Sequence, residues 1–167
     1  FNIPIAYLVD CPGLTVGGEW EKRCVNGHGT EILYMTHTLT VPRITIEIRR
    51  SHGAPLVFFS HHGTDLDYAW PSSEHALMNP DGAAAILYSK KASQLPEEER
   101  FDFMTAKQKE YADLYLDPAT TASNVRWGVF DDVIDPRRTR EVIIKGLEFL
   151  RRQTRQLPAR KRGNPIM

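Results

Sequence analysis

The residues best suited to chemistry lie in a short turn, residues 51–55, with the sequence Ser-His-Gly-Ala-Pro. A turn of small residues lets the carbonyl group of a ligand approach the backbone closely. Pro55 suits the first turn of a helix, where no N–H is needed, and backbone N–H groups at a helix start stabilise negative charge. We therefore predict an oxyanion-binding role for Gly53 and Ala54. The alternative is a joint with a purely structural role.

A β-strand must position this turn. Ile44, Ile46 and Ile48 alternate with polar neighbours within residues 41–48, which is the period of a strand with one buried face. The pattern predicts that the strand ends after residues 49–50 and that a helix begins near Pro55.

Strands alternate with helices along the rest of the chain. A short apolar run predicts a buried strand over residues 3–9, and a glycine-rich mobile loop then leads into a helix over residues 28–39. Further predicted elements are a loop and strand within residues 67–78, a helix over residues 81–91, and helices that begin at Pro96 and Pro136. This alternation predicts the α/β class.

Composition favours one globular domain over residues 1–167, because 167 residues that are 41% hydrophobic can bury one core. Lys+Arg and Asp+Glu number 21 each, which argues against nucleic acid or an anionic membrane as the main partner. No apolar run approaches the roughly 20 residues that span a bilayer, and no secretory signal is recognised. Cys11 and Cys24 are expected to be reduced thiols, and we expect a cytoplasmic protein.

The turn at residues 10–13, Asp-Cys-Pro-Gly, has the form of the magnesium-side motif of GTPases. That interpretation needs a phosphate loop of the form GxxxxGK followed by Ser or Thr, and this chain contains none. A tight turn that ends the first strand is therefore favoured.

His61 and His62, with Asp65 and Asp67, have the residue types of a metal site. Adjacent histidines on a strand point to opposite faces, and no further cluster supports them. A polar loop is favoured, and no metal is predicted.

Two further patterns concern surfaces. Phe101, Met104, Tyr111 and Tyr115 keep helical spacing, which indicates packing in the core or at an interface. The tail from residue 151 is rich in arginine and lysine and is predicted to be a solvated segment, with docking of a partner as the alternative.

Several segments occur in an order that identifies a family. The most specific are Tyr-Ala-Trp-Pro-Ser-Ser-Glu at 68–74 and Asp-Asp-Val-Ile-Asp-Pro-Arg at 131–137. The others are Phe-Asn-Ile-Pro at 1–4, Asp-Cys-Pro-Gly-Leu at 10–14, His-Gly at 28–29, Leu-Tyr at 33–34, Val-Pro-Arg at 41–43 and Lys-Arg-Gly-Asn-Pro at 161–165. Together they resemble the carboxyltransferase β subunit of biotin-dependent acyl-CoA carboxylases, of the propionyl-CoA and methylmalonyl-CoA type. The match covers nearly the whole chain and corresponds to the C-terminal half of that subunit.

The resemblance implies a crotonase-like fold, in which stacked ββα units form a spiral. It also implies that this half holds the carboxybiotin side of the site, while an N-terminal half from another protomer holds the acyl-CoA. The implied reaction transfers a carboxyl group from carboxybiotin to the α-carbon of an acyl-CoA. The implied partners are that N-terminal half, a biotin carboxylase or biotin carrier subunit, and further copies in a homo-oligomer.

The resemblance also implies an oxyanion hole for biotin at residues 52–56, where the family has Tyr-Gly-Gly-Ala-Tyr and this chain has His-Gly-Ala-Pro-Leu. The two family donors fall on Ala54 and Pro55, but proline has no N–H. Either the turn shifts to use Gly53 and Ala54, or the biotin step is impaired or replaced.

Further substrate-binding residues follow from the same match. Gly13 and Leu14 correspond to a family glycine and phenylalanine, and Val57 corresponds to a position that helps to select the acyl group. With Pro55, these residues form the predicted substrate-binding set. Two other functions stay open, namely a related acyl-CoA decarboxylase, either dependent on biotin or independent of it, and a non-catalytic paralogue kept for assembly.

Because family active sites form between protomers, we predict that the isolated 167-residue chain is inactive and exposes apolar surface that another chain normally covers. The measurement is carboxyl transfer by the isolated chain, and detectable transfer would contradict the prediction.

Overall fold

A parallel β-sheet forms the frame of the protein. The computed structural model describes residues 1–60, 63–153 and 156–157. The strands are β1 (Ile5–Cys11), β2 (Arg43–His52), β3 (Leu66–Ala69), β4 (Glu74–Ala76) and β5 (Asp132–Val133). They lie in the order β1-β2-β3-β5, and β4 pairs with the end of β2 beyond β3. Each of these pairings is parallel, which confirms the predicted α/β class.

Helices connect the strands, as parallel pairing requires. Helices α1 (Gly18–Lys22) and α2 (Val25–Thr38) lie between β1 and β2, and α3 (Ala54–Phe59) lies between β2 and β3. Helices α4 (Pro80–Ala92), α5 (Glu97–Tyr115) and α6 (Pro118–Arg126) lie between β4 and β5. A single 3₁₀ turn, Pro136–Arg138, leads into α7 (Thr139–Leu150).

Strand β2 is buried on both faces. Ile44 and Ile46 pack against Ile134 and Leu150, which come from the segment after β5 and from α7. Helix α7 approaches β2 closely at Gly146, where an added Cβ would lie 2.7 Å from Cδ1 of Ile44.

The polar positions in the first half of β2 are buried as well. Arg43, Thr45 and Glu47 alternate with the isoleucines, and each has 0% relative exposure. The sequence prediction of one buried face was therefore wrong, because helices cover both sides of the sheet. The strand also continues to His52, past the predicted end at residues 49–50.

An ion pair holds the start of β2. The Arg43 guanidinium donates to both carboxylate oxygens of Asp65, at 3.3 and 2.8 Å, and to the carbonyl oxygen of Thr36 at 2.5 Å. The backbone N–H of Arg43 donates to the same carboxylate at 2.9 Å. One buried cation thus links β2 to the end of α2 and to the residue before β3.

Several predicted elements differ from the structure. The segment expected to be a mobile loop contains α1, and the sequence analysis did not predict α6 or β5. The aromatic stripe on α5 is not in the core, since α5 has no buried residues and Phe101 is 77% exposed. His61, His62 and the basic residues at 155 and 160–162 lie outside the described residues, so their predictions remain predictions.

We predict that Arg43→Ala lowers the free energy of unfolding of the full-length protein by about 3–5 kcal/mol, because it leaves the Asp65 carboxylate and the Thr36 carbonyl without their buried partner. Urea unfolding measures this loss. Arg137→Ala is the matched control, since it removes an exposed arginine paired with Asp135 and should barely change stability. Equal stability of the two variants would contradict the prediction.

Candidate functional site

The loops that follow β1 and β2 meet at one edge of the sheet. The strands are parallel, with Cys11 opposite Ser51, so their carboxyl ends lie side by side. A Cβ added to Gly13, which has a positive φ of 121°, would lie 3.3 Å from the carbonyl oxygen of His52. The structure therefore brings the predicted residue Gly13 against the predicted oxyanion turn.

Gly53 shapes this turn and cannot be replaced freely. Its φ is +68°, and an added Cβ would lie 3.2 Å from the carbonyl oxygen of Leu77. Its N–H donates to the carbonyl oxygen of Ala76 in β4 at 3.0 Å. This N–H is already used, so the geometry does not support the expectation that the turn shifts to donate from Gly53 and Ala54.

The start of α3 offers other donors. Gly53 is the N-cap, and the first backbone hydrogen bond of the helix runs from Val57 N to Gly53 O at 3.4 Å. Helix geometry leaves the N–H groups of Ala54 and Leu56 without an intrahelical acceptor, while Pro55 between them has no N–H. Sequence analysis missed Leu56. Its place two residues into the helix would have indicated it.

Two predicted substrate-binding residues keep apolar surface near the turn. Leu14 is 37% exposed and Val57 is 44% exposed. Helix α2 packs against Leu14 and Phe58 at Gly29, where an added Cβ would lie 3.3 Å from Leu14 Cδ1 and 3.2 Å from Phe58 Cζ. The loop after β1 and helix α3 thus both pack against α2.

His52 is a buried histidine at the edge of the turn. Its side chain is 3% exposed, and its Nε2 lies 3.8 Å from a carboxylate oxygen of Glu74. Burial lowers the pKa of His52, and the Glu74 carboxylate, 3.8 Å from Nε2, opposes that shift. His52 is therefore held in its neutral form near the turn.

The buried carboxyl group of Glu47 contacts the residue that caps the C-terminal end of α3, and sequence analysis missed it. It contacts Ser60, Ser73 and His75 through hydrogen bonds. A glutamate within a strand of a parallel sheet could have indicated a buried carboxyl group, because both faces of such a sheet are covered.

The described residues contain no group of three or more His, Cys, Asp or Glu side chains that could hold a metal ion. Asp65, which the sequence analysis considered as a metal ligand, instead pairs with Arg43. Cys11 and Cys24 are both free thiols. Within the ranges that the structure describes, no helix combines the length and the apolar character needed to cross a membrane.

Comparison with known proteins identifies the family. The carboxyl transferase domain matches residues 1–165, and the chain belongs to this family. It is 39% identical over 170 residues to the methylmalonyl-CoA carboxyltransferase 12S subunit of Propionibacterium freudenreichii subsp. shermanii, covering 98% of this chain and 31% of that protein. It is 35% identical to the methylmalonyl-CoA decarboxylase subunit alpha of Propionigenium modestum, with 98% and 31% covered. The chain therefore spans about a third of the length of these relatives.

Solved structures agree with this assignment. The transcarboxylase 12S structure with methylmalonyl-coenzyme A and methylmalonic acid bound superposes with a TM-score of 0.79 at 35% identity, covering 99% of this chain and 31% of that chain. The geranyl-CoA carboxylase β subunit of P. aeruginosa, at 23% identity, shows the same fold with a TM-score of 0.76. The predicted family and the crotonase-like fold are confirmed.

We predict that His52 makes stability fall as the pH drops below about 6.5, because the unfolded chain then binds a proton that folded His52 resists. His52→Phe in the full-length protein should flatten the unfolding free energy between about pH 7.5 and 5.5. His28→Phe, which alters an exposed ring on α2, is the matched control. An unchanged pH dependence in His52→Phe would refute the assignment.

Proposed function

We propose that this chain forms the carboxybiotin side of an acyl-CoA carboxyltransferase, which moves a carboxyl group from carboxybiotin to the α-carbon of an acyl-CoA. One observation carries the proposal. In a chain of the carboxyl transferase family, the helix start after β2 leaves the N–H groups of Ala54 and Leu56 without an intrahelical acceptor, and Gly13 lies against the His52 carbonyl just before it. Backbone donors of this kind stabilise a carbonyl oxygen as it gains negative charge.

The site suits the ureido carbonyl of biotin. Bound biotin supplies an activated carboxyl group. Of the two positions that match the family donors, Ala54 keeps its N–H and Pro55 has none. Leu56, one residue past Pro55, offers a second N–H. Gly53 does not donate in this proposal. It permits the turn through its positive φ and anchors it to Ala76.

The substrate-binding roles are part of the same proposal. Gly13 lets the loop after β1 lie against His52, and Leu14 follows it with exposed apolar surface. Val57 presents a partly exposed apolar side chain from α3, as an acyl pocket requires. Pro55 fills the helix start and is itself fully buried.

The partners are proposed on similar grounds. The rest of the carboxyltransferase, a biotin carboxylase or carrier subunit, and further copies of the chain would complete the site in the cytoplasm. The solved 12S relative is described as a hexamer assembly. In this chain, large apolar side chains are exposed on and beside α4 and α5, namely Leu77, Ile86, Leu87, Phe101 and Leu114. Such exposure is typical of surfaces that a neighbouring chain covers.

An assay of the full-length protein with its partner subunits tests the function. We expect carboxyl transfer to an acyl-CoA that requires the biotinylated carrier. Decarboxylation of a carboxylated acyl-CoA without the carrier would instead indicate the biotin-independent decarboxylase. Assembly with the partner subunits, without carboxyl transfer or decarboxylation, would indicate the non-catalytic paralogue.

We predict that Pro55→Ala in the full-length enzyme raises turnover with carboxybiotin by up to about 10²-fold, because it restores a backbone N–H at the second family donor position. The Pro55 ring is fully buried, so the variant also loses packing, and turnover is measured well below its unfolding temperature. The measurement is steady-state turnover with the carboxylated carrier.

Pro136→Ala is the matched control, since Pro136 begins the 3₁₀ turn before α7 and not a segment that contacts Gly53. It should leave turnover unchanged. Unchanged turnover in a folded Pro55→Ala variant would show that residue 55 is not a donor position. A decrease would show that the fixed φ of proline shapes the site.

A further inference from the structure

The carboxyl group of Glu47 joins three separate segments inside the protein. Its Oε1 accepts a hydrogen bond from Ser60 Oγ at 2.5 Å, and its Oε2 accepts one from Ser73 Oγ at 3.1 Å. His75 Nδ1 lies 3.0 Å from Oε2. Glu47 is fully buried, so these partners replace the water that the carboxyl group would otherwise bind. We call these four residues the Glu47 cluster.

The cluster holds the C-terminal end of α3. Ser60 is the residue that caps this helix, and its hydroxyl donates to Glu47. Two residues before Glu47 on β2, the Thr45 hydroxyl donates to the carbonyl oxygen of Phe59. Two adjacent inward-facing side chains of β2 therefore fix the end of α3 to the sheet.

The cluster also supports the N-terminal end of α3. His75 and Ala76 are neighbours in β4, and the Ala76 carbonyl accepts the N–H of Gly53. Strand β4 has only three residues, so its backbone pairing with β2 is short. The contacts of Ser73 and His75 with Glu47 strengthen that attachment.

Both ends of residues 53–60 are thus attached to one carboxyl group. Helix α3 has six residues, too few to be stable without tertiary contacts. Backbone donors work only when they lie close to the position that the oxyanion will occupy, and a small misplacement removes much of the effect. The position of the Ala54 N–H therefore depends on these two attachments.

We propose that Glu47 is a positioning residue for the oxyanion turn and acts through Ser60 and His75. This inference rests on the proposed carboxyl transfer. Glu47 itself is fully buried, so its role is to hold the Ala54 donor in place.

The test uses the full-length enzyme with its biotinylated carrier and the variants Ser60→Ala and Glu47→Gln. Ser60→Ala removes one of the two side-chain attachments of the helix end, so kcat with carboxybiotin should fall about 10- to 100-fold. Amide hydrogen exchange of residues 53–60 should become faster in the same variant. Glu47→Gln keeps the shape of the side chain and should give a smaller change in the same direction.

Thr139→Val is the matched control. The Thr139 hydroxyl, at the start of α7, accepts the Trp70 Nε1–H at 2.9 Å, so the variant loses a side-chain hydrogen bond without touching α3 or the Glu47 cluster. It should keep the wild-type kcat and the wild-type exchange of residues 53–60.

The outcomes are distinguishable. Wild-type kcat and exchange in folded Ser60→Ala and Glu47→Gln would overturn the inference and leave the proposed function intact. An equal fall of kcat in Thr139→Val would also overturn it, because the loss would then not be specific to the Glu47 cluster. A wild-type enzyme without carboxyl transfer would overturn the proposed function, and the positioning role with it. If Ser60→Ala does not fold, Glu47→Gln decides by the same two measurements.

Discussion

Strand β2 has β1 on one edge, β3 and β4 on the other, and helices over both faces. Water cannot reach Arg43, Thr45 and Glu47 in the first half of this strand, so these side chains need partners inside the protein. Arg43 meets this need with Asp65 and the Thr36 carbonyl, and Glu47 meets it with two serines and a histidine. Each satisfied group attaches another element to β2. The hydrogen bonds that these buried groups require thus help to arrange the helices around the sheet.

The same strand ends at the candidate site, so the framework and the chemistry are connected. Parallel strands place the loops that follow them at one edge, where the segment after β1 contacts the turn after β2. The turn itself is fixed by a backbone hydrogen bond to β4, which uses the N–H of Gly53. A rigid turn is an advantage for an oxyanion site because the donors need no rearrangement during the reaction. The consequence is that fewer N–H groups remain for a ligand.

The local elements could be predicted from sequence because their signals are short-range. Alternating isoleucines indicated β2, and proline with neighbouring acidic residues indicated the start of α5. The second buried face of β2 could not be predicted, since alternation alone does not show which helices cover the polar side. The Gly53 N–H donates to the carbonyl oxygen of Ala76, which is distant in sequence, and no local sequence pattern predicts such a contact. For the stripe with Phe101, the exposure excludes the core and leaves the interface alternative as a prediction, because helical spacing does not show what the face contacts.

Burial also sets the electrostatics around the turn. His52, the residue before Gly53, is kept neutral by desolvation, so the group nearest to the turn in sequence carries no charge near neutral pH. Dipoles act more strongly where water is excluded, and a backbone N–H there stabilises an oxyanion without any titration of its own. The apolar surfaces of Leu14 and Val57 would exclude more water once a ligand or another chain covers them. A single well-held donor at Ala54 can therefore contribute more in the complete assembly than it does in the open edge of this chain.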